Sequence, residues 1–435
     1  MPPEAAARRR SYTLMLLTLL SALAFMDRQI LAVLLQPVKA EFGLTDLQIG
    51  LVTGLGFSLS FVLLGIPLGK LADRGERRRV LTWSRGAGAL LGAAGAWATG
   101  FWTLLVSRAG GAVSDAGGAP ASISMLSDLY PPEKRSRVIS LFGTGASLGS
   151  LLALVLGSWL AQRYGWRMTM GVIGLAALLA TLLLRWTVQE PPRHPLPAGA
   201  AAPDRHGALA LLWHAPVTRW LIVGAGFALL AGYGFGSWNN ALLIRRHGLS
   251  LQESGLISGA AALASIIGAL VSGTLADRLA RRDGRWQLGV PVLGLGLALP
   301  CGLVYLLMPA GAVGPAAALM VAYAFFVVWW AAPCYAALSF VVPPRRRATA
   351  HATIMLVGSL VGNGLGPIFT GWLSDVIERM LPGDGLRIAL MLIVSMLLPG
   401  LLALARALPL FPAARAANDA AQVPAAHAHP RESHA

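Results

Sequence analysis

The chain has 435 residues, of which 56% are hydrophobic and only 12% are charged, and its net charge is +16. Soluble domains carry roughly 25% charged residues, so this composition excludes a soluble protein with an ordinary charged surface. A nucleic-acid partner is also disfavoured, because binding would need the basic residues on one contiguous face, whereas here they lie between apolar stretches. The composition predicts an integral membrane protein.

Apolar stretches follow one another along the chain, separated by short charged or Pro/Gly-containing breaks. A helix needs about 20 apolar residues to cross a bilayer, and lipid offers no partner to unpaired backbone groups. Each stretch is therefore expected to be a spanning helix. The first is too long and too interrupted by charge for a cleaved signal peptide. Twelve spans are predicted, at 12–37, 47–69, 80–99, 101–128, 137–161, 167–188, 217–244, 251–275, 287–308, 314–341, 350–374 and 385–411.

A segment rich in proline and polar residues divides the spans into two sets of six. The polar C-terminal end lacks the apolar content that a packed region needs. The sequence therefore predicts an N-terminal region 1–11, a six-helix bundle 12–188, a linker 189–216, a second six-helix bundle 217–411 and a disordered tail 412–435.

Basic residues are unevenly divided between alternate loops. About 25 of them lie on the side that holds both termini and the linker, and about seven on the other, so the positive-inside rule assigns the richer side to the cytoplasm. Both termini are predicted to be cytoplasmic, in the inner membrane if the cell is bacterial.

Two pairs of segments repeat between the halves of the chain. EFGLTDLQIGLVTG (41–54) matches RHGLSLQESGLISG (246–259), and GKLADRGERR (69–78) matches GTLADRLARR (273–282). Both pairs recur at an offset of about 205 residues, which predicts parallel repeats with the solute site between them, near the membrane midplane.

The repeated GKLADRGERRR and GTLADRLARR segments resemble the loop signature of the major facilitator superfamily. FMDRQILAVLLQPVKAEFGLTDLQIG (25–50), SDLYPPEKRSR (127–137) and GNGLGPIFTGWLSD (362–375) are most similar to bacterial spinster-like transporters. The resemblance implies an all-α fold of twelve membrane helices in two pseudo-symmetric bundles. It also implies a proton-coupled secondary transporter that works by alternating access on a small amphipathic or anionic solute, such as a lysolipid or sphingoid compound.

Four charged residues lie well inside the first and fourth predicted spans: Asp27 and Arg28 in the first, Arg108 and Asp115 in the fourth. Each mid-membrane charge costs roughly 2.5–3.5 kcal/mol, so each needs a partner or water. Neighbours on a helix diverge by about 100° and cannot pair well. We therefore expect Asp115 to neutralise Arg28, with Asp27 facing the cavity.

The spinster-like resemblance implies that Asp27, Arg28 and Asp115 serve proton coupling and solute handling, although the family usually has Glu where this chain has Asp115. Arg108 is expected either to take part in the same cluster or to serve packing or gating. The alternative is a static buried ion pair that fixes helix packing.

The loop residues after the second span have a different expected role. By resemblance, they form a gate that latches the halves together when the cavity faces outward: Gly69, Asp73, Arg74, Arg77, Arg78 and Asp128. Simple positive-inside topology is the alternative. Tyr233, Asn240 and Asn363 are the candidates for lining the solute cavity.

Other functions remain as alternatives. A transporter of drugs or organic acids fits the same pattern, whereas a membrane enzyme or a receptor fits less well because the sequence shows neither a catalytic constellation nor a sizeable soluble domain. Cys301 and Cys334 both lie within predicted spans, which indicates neither a disulfide framework nor a metal site. We expect no catalytic residue, cofactor or metal, and a monomer whose partners are solute, protons and lipid.

Overall fold

A computed structural model describes residues 3–192 and 215–420, apart from a few side chains that include Asp73 and Arg74. The described ranges contain helices and no strands, and the predicted fold of twelve membrane helices is confirmed. A thirteenth, short helix follows them. In chain order the helices are Pro3–Phe42 (α1); Asp46–Gly50, Leu51–Leu55 and Gly56–Arg74 (α2); Arg77–Ala94 and Gly95–Trp97 (α3); Phe101–Leu129 (α4); Pro132–Leu152, Ala153–Gly157 and the first part of Ser158–Thr187 (α5); the remainder of that segment (α6); Pro216–His247 (α7); Leu251–Ala280 (α8); Trp286–Leu307 (α9); Val313–Val327, Val328–Trp330 and Ala331–Val341 (α10); Pro344–Val357, Gly358–Leu365 and Gly366–Met380 (α11); Gly385–Ser395 and Leu397–Ala407 (α12); and Phe411–Ala420 (α13).

Length and hydropathy alone identify nine spanning stretches in the described part of the chain. One of them, Arg137–Thr187, contains two helices, because Gly165 has a φ of 80° and breaks the helical path between α5 and α6. Helices α3 and α4 are not among the nine stretches, because arginines, Asp115 and many glycines and serines lower their mean hydropathy. The merging of α5 with α6 accounts for one of the three spans missing from twelve, and α3 and α4 account for the other two.

The ends of the chain differ from the sequence expectation. Helix α1 begins at Pro3 rather than near residue 12, because the intervening alanines and arginines are strong helix formers. Residues 411–420 form α13 where the disordered tail was expected to begin. Phe411 is buried there and the Asn418 amide donates to the carbonyl of Phe340, 2.9 Å away. The rest of the tail, and linker residues 193–214, lie outside the described residues.

The first repeated segment has the same local structure in both halves. Gly43 and Gly248 take left-handed conformations, with φ of 62° and 67°, at the ends of α1 and α7. Thr45 and Ser250 then cap α2 and α8 through capping boxes. The repeat therefore encodes a shared turn between consecutive helices.

Glycines of this repeat also let the two halves touch. A Cβ on Gly50 of α2 would lie 2.6 Å from the carbonyl oxygen of Pro367 in α11, and Gly54 meets Gly364 in the same way. Where α8 meets α5, Gly255 packs on the backbone of Leu154. Small residues permit such close helix contact. The wide π-helical turns of α2, α5 and α11 occur at these crossings.

Candidate functional site

A cavity of about 400 Å³ lies between the two halves. We call the end of the molecule that carries residues 69–78 and 273–282 the motif end, and the end that carries residues 43–50 and 245–251 the sealed end. Gly65 and Gly69, toward the motif end of α2, face open space, with no neighbouring atom within 4 Å of a Cβ placed there. Because Gly50 and Gly54 of the same helix lie against α11, the halves are closed at the sealed end and separated at the motif end.

The apolar core shows the same difference between the sealed end and the motif end. One continuous cluster includes Leu34 and Val52 of the first half together with Leu242 of the second. At the motif end the first half has a separate cluster of its own, around Leu17 and Leu126. The halves therefore share a core at one end only.

A buried carboxylate organises the sealed end. Asp46 is only 3% exposed and accepts two hydrogen bonds from Arg245, at 2.7 and 2.8 Å, and one from Ser374 at 2.7 Å. Lys39 also pairs with it. The carboxylate of Asp375 in α11 accepts the backbone N–H groups of Asp46 and Leu47, at 3.0 and 2.7 Å. We call Lys39, Asp46, Arg245, Ser374 and Asp375 the sealed-end cluster; none of these residues was predicted from the sequence to belong to a functional site.

Two buried ion pairs lie within the first half. The guanidinium of Arg108 donates to both carboxylate oxygens of Asp27 at 3.3 Å and to its backbone carbonyl at 2.8 Å. Arg85 of α3 pairs with Asp115 at 3.2 Å. The expected partnership of Asp115 with Arg28 is therefore wrong.

The physical reason is the close packing of α3 on α4. Gly88 lies against Ser114, and the guanidinium of Arg85 occupies the space where a side chain on Gly118 would be. Arg85 thus reaches Asp115 directly. The only sequence signal for this role was that Arg85 lies inside the third predicted span.

The carboxylate of Asp27 sits in a slot formed by two glycines. A Cβ on Gly92 would lie 3.0 Å from one of its oxygens, and a Cβ on Gly111 would lie 3.2 Å from the other. The Asp27 side chain is 16% exposed, whereas that of Arg108 is 3% exposed. The slot therefore holds the partly exposed carboxylate of Asp27 against the buried guanidinium of Arg108.

Arg28 has no carboxylate partner among the described residues. Its guanidinium carbon instead lies 4.4 Å from the ring centre of Phe57, 5.6 Å from that of Phe25 and 5.9 Å from that of Tyr233. Aromatic faces attract a cation without neutralising its charge. Arg28 and Arg108 both line a small cavity of about 20 Å³ at the interface of the halves.

The structure places Tyr233, Asn240 and Asn363 on the wall of the larger cavity. The amide of Asn363 donates to the hydroxyl of Ser58 across the interface, at 2.9 Å. Most of the wall comes from α7, α8 and α10, and it includes Trp330, which was not among the residues predicted to line the cavity.

The motif end of the first half is tied together around Arg77, which is 2% exposed. Arg77 pairs with Asp128, with Glu190 at 2.8 Å and with the carbonyl of Pro191 at 3.0 Å. The backbone of Arg78 also donates to Glu190, at 2.7 Å. Glu190, at the start of the linker, was not among the predicted gate residues. The predicted gate residues Asp73 and Arg74 have side chains that lie outside the described residues.

Comparisons with known proteins show which family the chain is similar to. The family model described as Major Facilitator Superfamily matches residues 17–367. An MFS-type efflux pump of Mycolicibacterium smegmatis is 32% identical over 387 residues, which are 87% of this chain and 88% of that protein. Protein spinster homolog 1 of Xenopus laevis is 24% identical, covering 87% of this chain and 75% of the relative. A crystal structure of a bacterial homolog of the human lysosomal transporter Spinster, inward-facing and unoccupied, superposes with a TM-score of 0.85 at 28% identity, over 95% of this chain and 99% of that one.

Proposed function

The chain belongs to the major facilitator superfamily and is a membrane transporter close to the spinster-like family, not an enzyme, and we propose that it is a proton-coupled secondary transporter of an amphipathic solute with an acidic headgroup. The observation that carries this proposal is Arg28, a cation without a carboxylate partner in the described residues, held by aromatic rings at the interface of the halves.

Charge in the first half favours an anionic headgroup. The buried carboxylate of Asp115 and the partly exposed carboxylate of Asp27 are matched by Arg85 and Arg108, and Arg28 adds one further positive charge. Arg28 is partly buried, and a charge withdrawn from water without a partner is costly, so an anion from the solute would stabilise it. The aromatic and aliphatic wall of the larger cavity then accommodates an apolar chain, as in a lysolipid.

Asp27 is the proposed proton-coupling residue. A proton on Asp27 removes the charge that holds Arg108. Because Arg108 and Arg28 line the same small cavity, the freed guanidinium then joins Arg28 in binding the anion. Proton and solute binding at adjacent places stabilise the same state, which is how binding at two sites becomes linked.

Alternating access follows from the two ends. By the positive-inside rule the motif end is cytoplasmic, so the described conformation faces inward. Opening outward requires release of the sealed-end cluster and closure of the motif end, where Gly69 has room for a helix of the second half to approach. The gate residues Asp73, Arg74, Arg77, Arg78 and Asp128 would hold that closed state.

The test is flux of dodecyl phosphate into proteoliposomes with and without a pH gradient. We expect gradient-driven flux in the wild type and an affinity lowered about tenfold in Arg28→Gln, since a charge-assisted hydrogen bond contributes about 1.5–3 kcal/mol. Arg163→Gln is the control, because Arg163 is an exposed arginine outside the cavity. Dodecyl phosphate flux that is the same with and without the pH gradient would refute proton coupling. Flux of dodecyltrimethylammonium equal to that of dodecyl phosphate would refute selection of an acidic headgroup.

A second candidate is export of drugs or organic acids. The 32% identity to a relative described as an efflux pump favours it. Solute and protons would then move in opposite directions, so the sign of the solute-driven pH change inside the vesicles separates the two candidates.

A further inference from the structure

The second half contributes polar groups to the cavity that the anion of the proposed solute does not use. Tyr323 of α10 lines the cavity, is 2% exposed, and has a buried hydroxyl without a hydrogen-bond partner in the described part of the protein. Leaving a buried polar group unsatisfied costs about 1–3 kcal/mol, so such a group calls for an external partner.

The ring of Tyr323 is firmly placed. It packs on Phe235 with 4.5 Å between the ring centres, and a Cβ on Gly302 would lie 2.8 Å from the ring. The side chain therefore has little freedom to seek a partner elsewhere in the protein.

Two amides lie on the same wall with incomplete hydrogen bonding. Asn239 accepts from the hydroxyl of Tyr305 at 2.8 Å, but its amide nitrogen has only the thioether sulfur of Met320, a weak acceptor. Asn240 accepts from Ser258 at 2.8 Å, and its nitrogen makes no hydrogen bond to the described residues. The wall thus offers one hydroxyl, able to donate and accept, and two amide donors.

No residue that lines the larger cavity carries a formal charge within the described ranges. A cationic group would find no carboxylate there, and an anion would find no cation. From these contacts we infer that Tyr323, Asn239 and Asn240 form a subsite for an uncharged, hydroxyl-bearing group of the solute. The inference rests on the proposed function, since it assigns a second recognition point in the same cavity.

Binding of two uncharged probes to the purified full-length chain in nanodiscs tests the subsite. Monolaurin carries two free hydroxyls, and methyl laurate has the same acyl chain and none. We expect the wild type to prefer monolaurin, and Tyr323→Phe to lower the affinity for monolaurin about five- to tenfold while methyl laurate changes little, because a neutral hydrogen bond contributes about 1 kcal/mol.

Thermal unfolding without probe separates binding from a structural role. Tyr323→Phe removes a hydroxyl that no protein group uses, so its unfolding temperature should equal or exceed that of the wild type. Tyr305→Phe is the matched control: it breaks the bond to Asn239 and should unfold at a lower temperature. A Tyr323→Phe protein that is less stable and binds monolaurin normally would overturn the subsite.

Failure of the subsite and failure of the proposed function give different results. Equal binding of monolaurin and methyl laurate by the wild type would refute the subsite even if dodecyl phosphate is transported. Absence of dodecyl phosphate transport sinks the proposed function, yet a monolaurin preference that depends on Tyr323 still upholds the uncharged subsite.

Discussion

The first half of the molecule places five charged side chains deep in its helices, whereas the wall that the second half gives to the larger cavity carries amides, hydroxyls and aromatic rings and, in the described part of the chain, no formal charge. Both buried ion pairs join helices of the same half, α1 with α4 and α3 with α4. Rocking one half against the other therefore breaks neither pair. The difference agrees with the proposed division, in which one half handles charge and coupling and the other recognises uncharged groups.

Removal of the proposed coupling acid, Asp27, gives the largest expected effect. In Asp27→Asn the side chain still fits between Gly92 and Gly111, so the protein should fold. The amide that replaces the carboxylate beside Arg108 cannot take up or release a proton. We expect gradient-driven flux in proteoliposomes to be abolished. Flux with unchanged pH dependence would show that the coupling acid is elsewhere.

Breaking the second ion pair should be the next largest effect. Asp115→Leu leaves Arg85 buried without a charge partner and should lower the free energy of unfolding by about 3 kcal/mol, whereas the double variant Arg85→Met, Asp115→Leu should recover most of it. Thermal unfolding of the single and double variants measures the coupling. If the double variant is no more stable than Asp115→Leu, the two side chains do not act as a pair.

Weakening the sealed end comes third. Asp46→Asn loses the charge that binds Arg245 and should shift the population toward the open sealed end by about tenfold, since charge-assisted hydrogen bonds contribute about 1.5–3 kcal/mol. Distances between spin labels at Ala40 and Met380 report the opening. Glu378→Gln is the control, because Glu378 accepts from Gly383 and Gly385 within its own half. An unchanged distance distribution in Asp46→Asn would contradict the role of the cluster.

The smallest expected effect is at the glycine slot. Gly92→Ala brings a Cβ to 3.0 Å from the Asp27 carboxylate and should cost about 1 kcal/mol. Because the added methyl group crowds the carboxylate that binds Arg108, gradient-driven uptake into proteoliposomes should be slower than in the wild type. Gly86→Ala on the same helix is the control, as its Cβ would be 3.8 Å from Thr181. Equal uptake rates for the two variants would contradict the slot.

The sequence predicted the number of helices and the repeat because lipid leaves few alternatives for an apolar stretch, and because capping residues and turn glycines act locally. It also predicted which spans carry Asp27, Arg28, Arg108 and Asp115. It paired Asp115 with the wrong arginine, because pairing depends on the rotation of each helix about its axis and on where small residues allow close approach. Arg85 packs against Gly118 at such a place, and this contact depends on the tertiary packing of α3 on α4.

Long-range partners of the helix ends were equally out of reach. Asp46 and Asp375 are ordinary acids at the ends of predicted spans, and their contact depends on how one half is placed against the other. Glu190 looked like part of a polar linker, yet it binds Arg77 and Arg78. In each case the residue was visible in the sequence and its partner was not.

The carboxylate of Asp375 completes the first turn of a helix that belongs to the other half. When the two halves part at that end, the amide protons of residues 46 and 47 lose their acceptor, and buried backbone donors do not persist unpaired. Water must reach them as the gap forms. Hydration of the sealed end and its opening are therefore one event, and a dry crevice at that end stays shut.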